Sequence, residues 1–189
     1  MFDFFENSGW RFVTSGGTEM TFGLSKMLFA GGAAGAFYVR EGTGGPIQRL
    51  PMVAAVGGAG LGFSAGGPVT VSVSLPFAPG GGYQIYRNPF RSSPLAIEDF
   101  MGSFVQVSAG AGAFVANRNI SFMIFGAPTW LVNGLSLGNP GARLSLIAAA
   151  CQGIGVLWGS AVSSAASVGI EVYTGEILGH SAADAGETG

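Results

Sequence analysis

Residues 53–75 read VAAVGGAGLGFSAGGPVTVSVSL, a stretch without charge that changes character half way along. Its second part alternates: Val69, Val71, Val73 and Leu75 fall on one side, Thr70, Ser72 and Ser74 on the other. That is the period-two pattern of a strand with one buried face. The first part alternates as well, but one side is bare. Gly58, Gly60 and Gly62 share a face, and Ala59, Leu61 and Phe63 share the opposite one. A strand that gives up side chains in this way loses packing and entropy, roughly 0.5–1 kcal/mol per glycine relative to alanine. Glycines so placed mark the close approach of another element or a ligand.

The pattern recurs downstream. Within Phe104–Phe125, Gly110 and Gly112 share a face, Asn117-Arg118-Asn119 has turn character, and Ile120, Phe122 and Ile124 alternate with Ser121, Met123 and Phe125. This reads as a second glycine-bare hairpin, a degenerate repeat of residues 53–75. Upstream, FAGGAAGAFYVR (Phe29–Arg40) reads as a glycine-rich strand that ends in a turn at Glu41–Pro46.

Helical signals are fewer. Ser93-Pro94 suits the start of a short helix through Leu95, Ile97 and Phe100, with Ser as N-cap and Pro at the first helical position. Ala127–Gly134 supports one or two helical turns, and Asn139-Pro140 is another helix start. From Leu144 the chain reads LSLIAAACQGIGVLWGSAVSSAAS, in which Cys151, Gly155, Gly159, Ser163 and Ser167 recur every four residues. On a helix this spacing makes a ridge of small side chains that admits close packing. The bare glycine faces are the natural partner for such a ridge. Val168, Ile170 and Val172 then alternate as a final strand.

The fold expected is therefore α+β: mainly antiparallel glycine-rich sheet or a partly closed barrel, with one longer Ala/Gly/Ser-rich helix and short helices. Residues 1–178 form a single domain, and 179–189, GHSAADAGETG, form a flexible C-terminal tail. The first 28 residues carry Phe2, Phe5 and Phe12 at a spacing that suits a short amphipathic helix, either docked on the core or lying in a membrane interface.

Charge is scarce and unevenly spread. Only 10% of the 189 residues are charged, against about a quarter in ordinary soluble domains. Leu50–Tyr86, Asn119–Ala142 and Leu144–Ile170 carry none at all. Such a chain hides surface in a membrane, in copies of itself or in a dedicated protein partner. The eight scattered cations and net charge of −2 provide no basic stripe for nucleic acid. The uncharged run 144–170 exceeds the roughly 20 residues a helix needs to span a bilayer, though Ser145, Gln152, Ser160 and Ser163 weaken it. A transmembrane β-barrel is disfavoured as well, since no signal peptide offers a route to an outer membrane and the loops lack the usual aromatic girdles. The N-terminus, MFDFFENSGW, has acidic residues and no positive n-region, unlike a secretory signal peptide. A cytoplasmic or membrane-associated location follows, or export by a route that needs no such signal.

Catalytic groups are few. The sole histidine, His180, lies in the polar tail and the sole cysteine, Cys151, in an apolar run, so neither a nucleophilic triad nor a metal site assembles from the sequence. No cofactor is implied and no enzyme is expected. Gly60–Ala65 matches G-x-G-x-x-A but runs on into strand, with no acidic residue within about 30 positions after it, which fails the dinucleotide fingerprint on context. Arg87 and Arg91 flank Asn88-Pro89-Phe90 with Tyr83 and Tyr86 alongside. Two arginines with tyrosines suit a phosphate or sulfate group; they equally suit the solvation of a loop.

GGAAGAFYVREGTGG (31–45) and VGGAGLGFSAGGPVTVSVSL (56–75) together resemble the SYLF (Ysc84-like) lipid-binding domain. That family joins a glycine-rich strand, an acidic turn and a glycine-punctuated run leading into a Val-rich strand. The resemblance covers about a quarter of the chain, and LWGSAVSSAASVGIEVYTG (157–175) departs from the family's closing segment. It implies a β-rich module that binds phosphoinositides or other lipids. The function expected is a non-enzymatic lipid- or membrane-associated module, with a structural subunit of a homo-oligomer or of a protein complex as the alternative.

Overall fold

The computed structural model describes residues 6–23, 28–61, 68–71, 74–75, 83–113, 116–133, 145–147, 149–161 and 167–183. Alternation, rather than helical periodicity, organises them. Eleven strands form one antiparallel sheet: β1 (Glu6–Gly23), β2 (Leu28–Glu41), β3 (Ile47–Leu61), β4 (Pro68–Val71), β5 (Ser74–Leu75), β6 (Gln84–Arg87), β7 (Gly102–Ala113), β8 (Ala116–Ala127), β9 (Gly153–Ala161), β10 (Ser167–Ile177) and β11 (Ser181–Ala182).

Eight of them close on themselves. The order is β10-β7-β8-β9-β6-β1-β2-β3, and Met52–Leu61 of β3 pairs back onto Val168–Ile177 of β10. β4 and β5 stand in line with β6, each pairing with a different stretch of β1. β11 continues the line of β10 beside the start of β3. Closure pairs the backbone groups that an open sheet leaves at its edges.

The interior is aromatic at one end. Phe37 meets Phe12 and Phe104 edge-on, at centroid distances of 5.9 and 5.6 Å. The segment between β6 and β7 folds over this end and turns through a short 3-10 helix at Ile97–Phe100. Phe100 stacks on Phe125 at 4.5 Å, and Trp10 Nε1 donates to the Leu95 carbonyl at 2.8 Å. A second cluster lies outside the barrel. There Leu131 and Val132 of helix α1 (Thr129–Asn133), with Ile147 and Cys151, cover Val105 of β7 and Ala127 of β8.

The α+β expectation is overturned, since the longer helix does not form. Of that run, 145–147 and 149–150 are helical, while Gly153–Ala161 is β9. The reason lies in the arithmetic of the pattern. Cys151, Gly155 and Gly159 recur every four residues, so they also share one face of a period-two strand, with Ile154, Val156 and Trp158 on the other.

Three local readings change too. Residues 53–75 do not form a hairpin: β3 pairs with β2 and β10, whereas β4 and β5 pair with β1. Asn117–Asn119 are not a turn but lie within β8, opposite Gly112–Gly110 of β7. The helix placed after Ser93-Pro94 contracts to the 3-10 helix Ile97–Phe100.

Phe12 sits in β1 and in the core, while Phe2 and Phe5 lie outside the described residues. In the segment read as a tail, Ser181 pairs with Arg49 and Ala182 with Gln48, and the Ala183 N–H donates to the Ile47 carbonyl at 2.9 Å. Among the described residues no helix is long and apolar enough to cross a membrane.

Candidate functional site

Cross-strand neighbours in an antiparallel sheet share a face, so register places residues in rings around the barrel. Away from the aromatic end, one outward ring runs Ala30–Gly57–Val172–Val107–Phe122–Val156 across β2, β3, β10, β7, β8 and β9. No member is polar. Val53, Phe122, Ile170 and Val172 are each more than a third exposed. Gly57 and Gly58 leave a shallow groove of about 640 Å³ between β3 and β10, lined also by Ala55, Val56, Ile170, Val172 and Thr174.

At the same level the inward side of β7 and β8 carries polar groups beside Met123 and Leu157 of the core. Gln106 Nε2 donates to Ser108 Oγ at 3.1 Å, and Ser108 Oγ lies 2.7 Å from Ser121 Oγ across the β7–β8 pair. All three residues are buried. One register step further from the aromatic end Gly60, Gly169 and Gly110 stand in line across β3, β10 and β7, with Gly159 of β9 in the same register. The bare faces seen in the sequence therefore line the barrel's interior.

Charges gather at the aromatic end. On the outer face of β1, β2 and β3, Arg11 stands opposite Arg40, and Tyr38 opposite Arg49. Arg40 Nη1 donates to the Thr43 carbonyl at 3.4 Å, while its Nε is buried without a hydrogen bond. Among the described residues neither Arg11 nor Arg40 has an acidic partner.

The four residues singled out for an anion do not converge. Tyr83 is buried in the core, and the Tyr86 hydroxyl donates to Gln84 Oε1 at 2.8 Å. Arg87 forms an ion pair with Glu6, its Nε donating to Glu6 Oε2 at 2.8 Å. Arg91 donates to the Ala150 carbonyl at 3.1 Å.

Between these arginines, Asn88 is buried and its Nδ2 donates to the carbonyls of Cys151, at 2.8 Å, and Ala149, at 3.1 Å. It fastens the end of β6 to the turn before β9. Burial pushes the Cys151 thiol up to about 11, opposed in part by the hydrogen bonds it receives. A thiol so protonated is a packing group and a poor nucleophile. Among the described residues no three metal-ligating side chains come together.

Linear reading passed over Gln106, Ser108 and Ser121, and the arginines on three strands. The first group carried a signal in its alternation with Val105, Val107 and Ala109. Alternation alone does not tell which face meets the interior. The arginines are brought together only by register. Comparison of the chain with protein-family models, curated proteins and solved structures returned no match.

Proposed function

We propose that the chain is a non-enzymatic, membrane-associated β-barrel that seats its apolar outer wall in lipid. The observation that carries this reading is an apolar outer ring set over polar inward groups of β7 and β8. The ring is Ala, Gly, Val and Phe, while at the same level the inward face of those two strands holds the hydrogen-bonded Gln106, Ser108 and Ser121. A barrel surrounded by water gains from the opposite arrangement, and one surrounded by hydrocarbon gains from this one.

Two further features support it. The eight strands are hydrogen-bonded across every junction, the β6–β9 seam over three residue pairs, and internal pairing is what a bilayer favours. The strands suffice in length as well: β7 and β8 have 12 residues each and β10 has 11, where about 9–11 tilted residues span the hydrocarbon. Exposed Phe90 and Trp130 sit on segments leaving the ends of β6 and β8, at the charged end. Aromatic side chains there suit a membrane interface. The SYLF resemblance of residues 29–75 points to lipid by a separate route.

The test is flotation. Chain diluted from urea into phosphatidylcholine vesicles is expected to rise with them and to resist protease over β7–β10. Protein that stays wholly in the soluble fraction overturns the reading. A stable detergent-free oligomer with no vesicle affinity assigns the apolar wall to contacts between copies instead.

A further inference from the structure

We infer that the barrel interior beyond Gln106, Ser108 and Ser121 is a binding site for one small uncharged molecule with an apolar body and an amide-like edge. The inference concerns the inside of the barrel, so it stands whether lipid or protein meets the outside. An eight-stranded barrel is just wide enough for side chains to fill it, or for one small ligand to take their place. At the aromatic end side chains fill it: Phe12, Phe37, Phe104 and Phe125 pack there with Leu50 and Ile85. Further along, Gly60, Gly169, Gly110 and Gly159 share one register. Four of the eight strands thus bring no side chain to that level. Glycine within a strand marks the close approach of a ligand or of another backbone.

The polar groups that border this level have hydrogen-bonding capacity left over. Gln106, Ser108 and Ser121 are only 7%, 3% and 5% exposed. Gln106 Nε2 donates to Ser108 Oγ, one inward position nearer the glycines, so the amide reaches toward them. Its Oε1 accepts nothing among the described residues. Unlike Arg40 Nε, that oxygen is not fully enclosed, so open space adjoins it. The two serine hydroxyls share one hydrogen bond at 2.7 Å. Two hydroxyls carry two protons, so whichever of them donates, one proton has no acceptor among the described residues. Buried groups in this state gain from a partner. The spare acceptor and the spare donor are held side by side, and an amide edge answers both at once. Met123, opposite Gln106, and Leu157, opposite Ser121, offer apolar contact to the rest of the molecule. Register puts Glu171 of β10 opposite Ser108, a position that disfavours an anion.

The experiment titrates the full chain with benzamide, acetophenone and benzoate, and follows binding by ligand-detected NMR. Benzamide carries both donor and acceptor, acetophenone the acceptor alone, and benzoate the same outline with a negative charge. The parent is expected to bind benzamide about tenfold more tightly than either analogue, the worth of one buried hydrogen bond. Gln106→Leu is expected to bind benzamide no more tightly than acetophenone. Gly110→Val, which puts a side chain into the bare level, is expected to keep the parent's urea midpoint and to bind none of the three. A parent that binds no benzamide up to its solubility limit, or binds all three alike, overturns the site. A preference for benzamide retained in Gln106→Leu overturns the assignment to these residues; where that variant does not fold, Gln106→Met carries the same comparison. A urea midpoint lowered in Gly110→Val as far as in Gly155→Leu, at the packed end, shows a filled level and overturns the site as well.

Discussion

A Cβ built on Gly155 would run into the Phe12 ring, and one on Gly153 into the Phe125 ring, with the Tyr86 carbonyl oxygen 2.9 Å away. Both glycines face the barrel interior, where the aromatic rings occupy the volume their side chains would have filled. Overpacking of a filled site costs typically about 1–3 kcal/mol. Gly155→Leu has a ring on one side and the barrel wall on the other, so a loss at or beyond the upper end is expected in urea melts. Gly44→Ala, in the turn between β2 and β3 with nothing within 4 Å of its Cβ, should change stability by less than about 0.5 kcal/mol. Equal midpoints for Gly155→Leu and the parent would show that the interior has room to spare. Cys151 gives a second expectation. Its thiol is buried and its pKa raised from 9.0 to about 11. Between those values the unfolded chain has lost the proton and the native chain has kept it, so stability falls as pH rises through that window. Below pH 9 the contribution is intact; over the window it amounts to as much as about 3 kcal/mol. In Cys151→Ala, urea midpoints measured from pH 9 to 11 should fall less steeply than in the parent; identical slopes would assign the loss to other groups.

Strands in this chain were legible where their alternation had two distinct faces and illegible where one face was small. Leu28–Glu41 and Ser167–Ile177 were readable as β2 and β10 because Phe37, Val39, Val168, Ile170 and Val172 mark the period directly. β9 was not. In Gly153–Ala161 the glycines suggested a helical ridge, and a repeat of four cannot by itself be told from every second position of a repeat of two. The intervening Ile154, Val156 and Trp158 held the better clue, because branched and aromatic residues at every second position favour a strand. Pairing was harder still. The glycines of residues 58–62 marked a close approach, but what meets them in register is β10, more than a hundred residues away, with Glu171 opposite Gly58 and Gly169 opposite Gly60. Nothing local encodes a partner at that separation. The arginines of β1 and β2 were hidden for the same reason: Arg11 and Arg40 are far apart in sequence and become neighbours only through pairing.

The apolar outer wall runs along the barrel axis, and position along it gives the sharpest test of the proposed immersion. Ile170 stands opposite Ala59, far from the aromatic end; Val53 lies six residues nearer that end on β3, about 20 Å by strand rise. Both are outward and exposed, at 55% and 44%. In water an arginine at either position is an ordinary surface change, within about 0.5 kcal/mol. In a bilayer the cost depends on depth: about 2–4 kcal/mol for arginine near the midplane, falling to about 0–1 near the interface. Ile170→Arg should therefore lose stability markedly when unfolded by urea from phosphatidylcholine vesicles, and Val53→Arg much less, since its guanidinium can reach the headgroup layer. A protein partner covering the wall would not grade its penalty by distance from the aromatic end. Equal losses at the two positions, or a larger loss at Val53, would mean that the apolar wall is a contact surface between proteins and that it serves assembly in place of immersion.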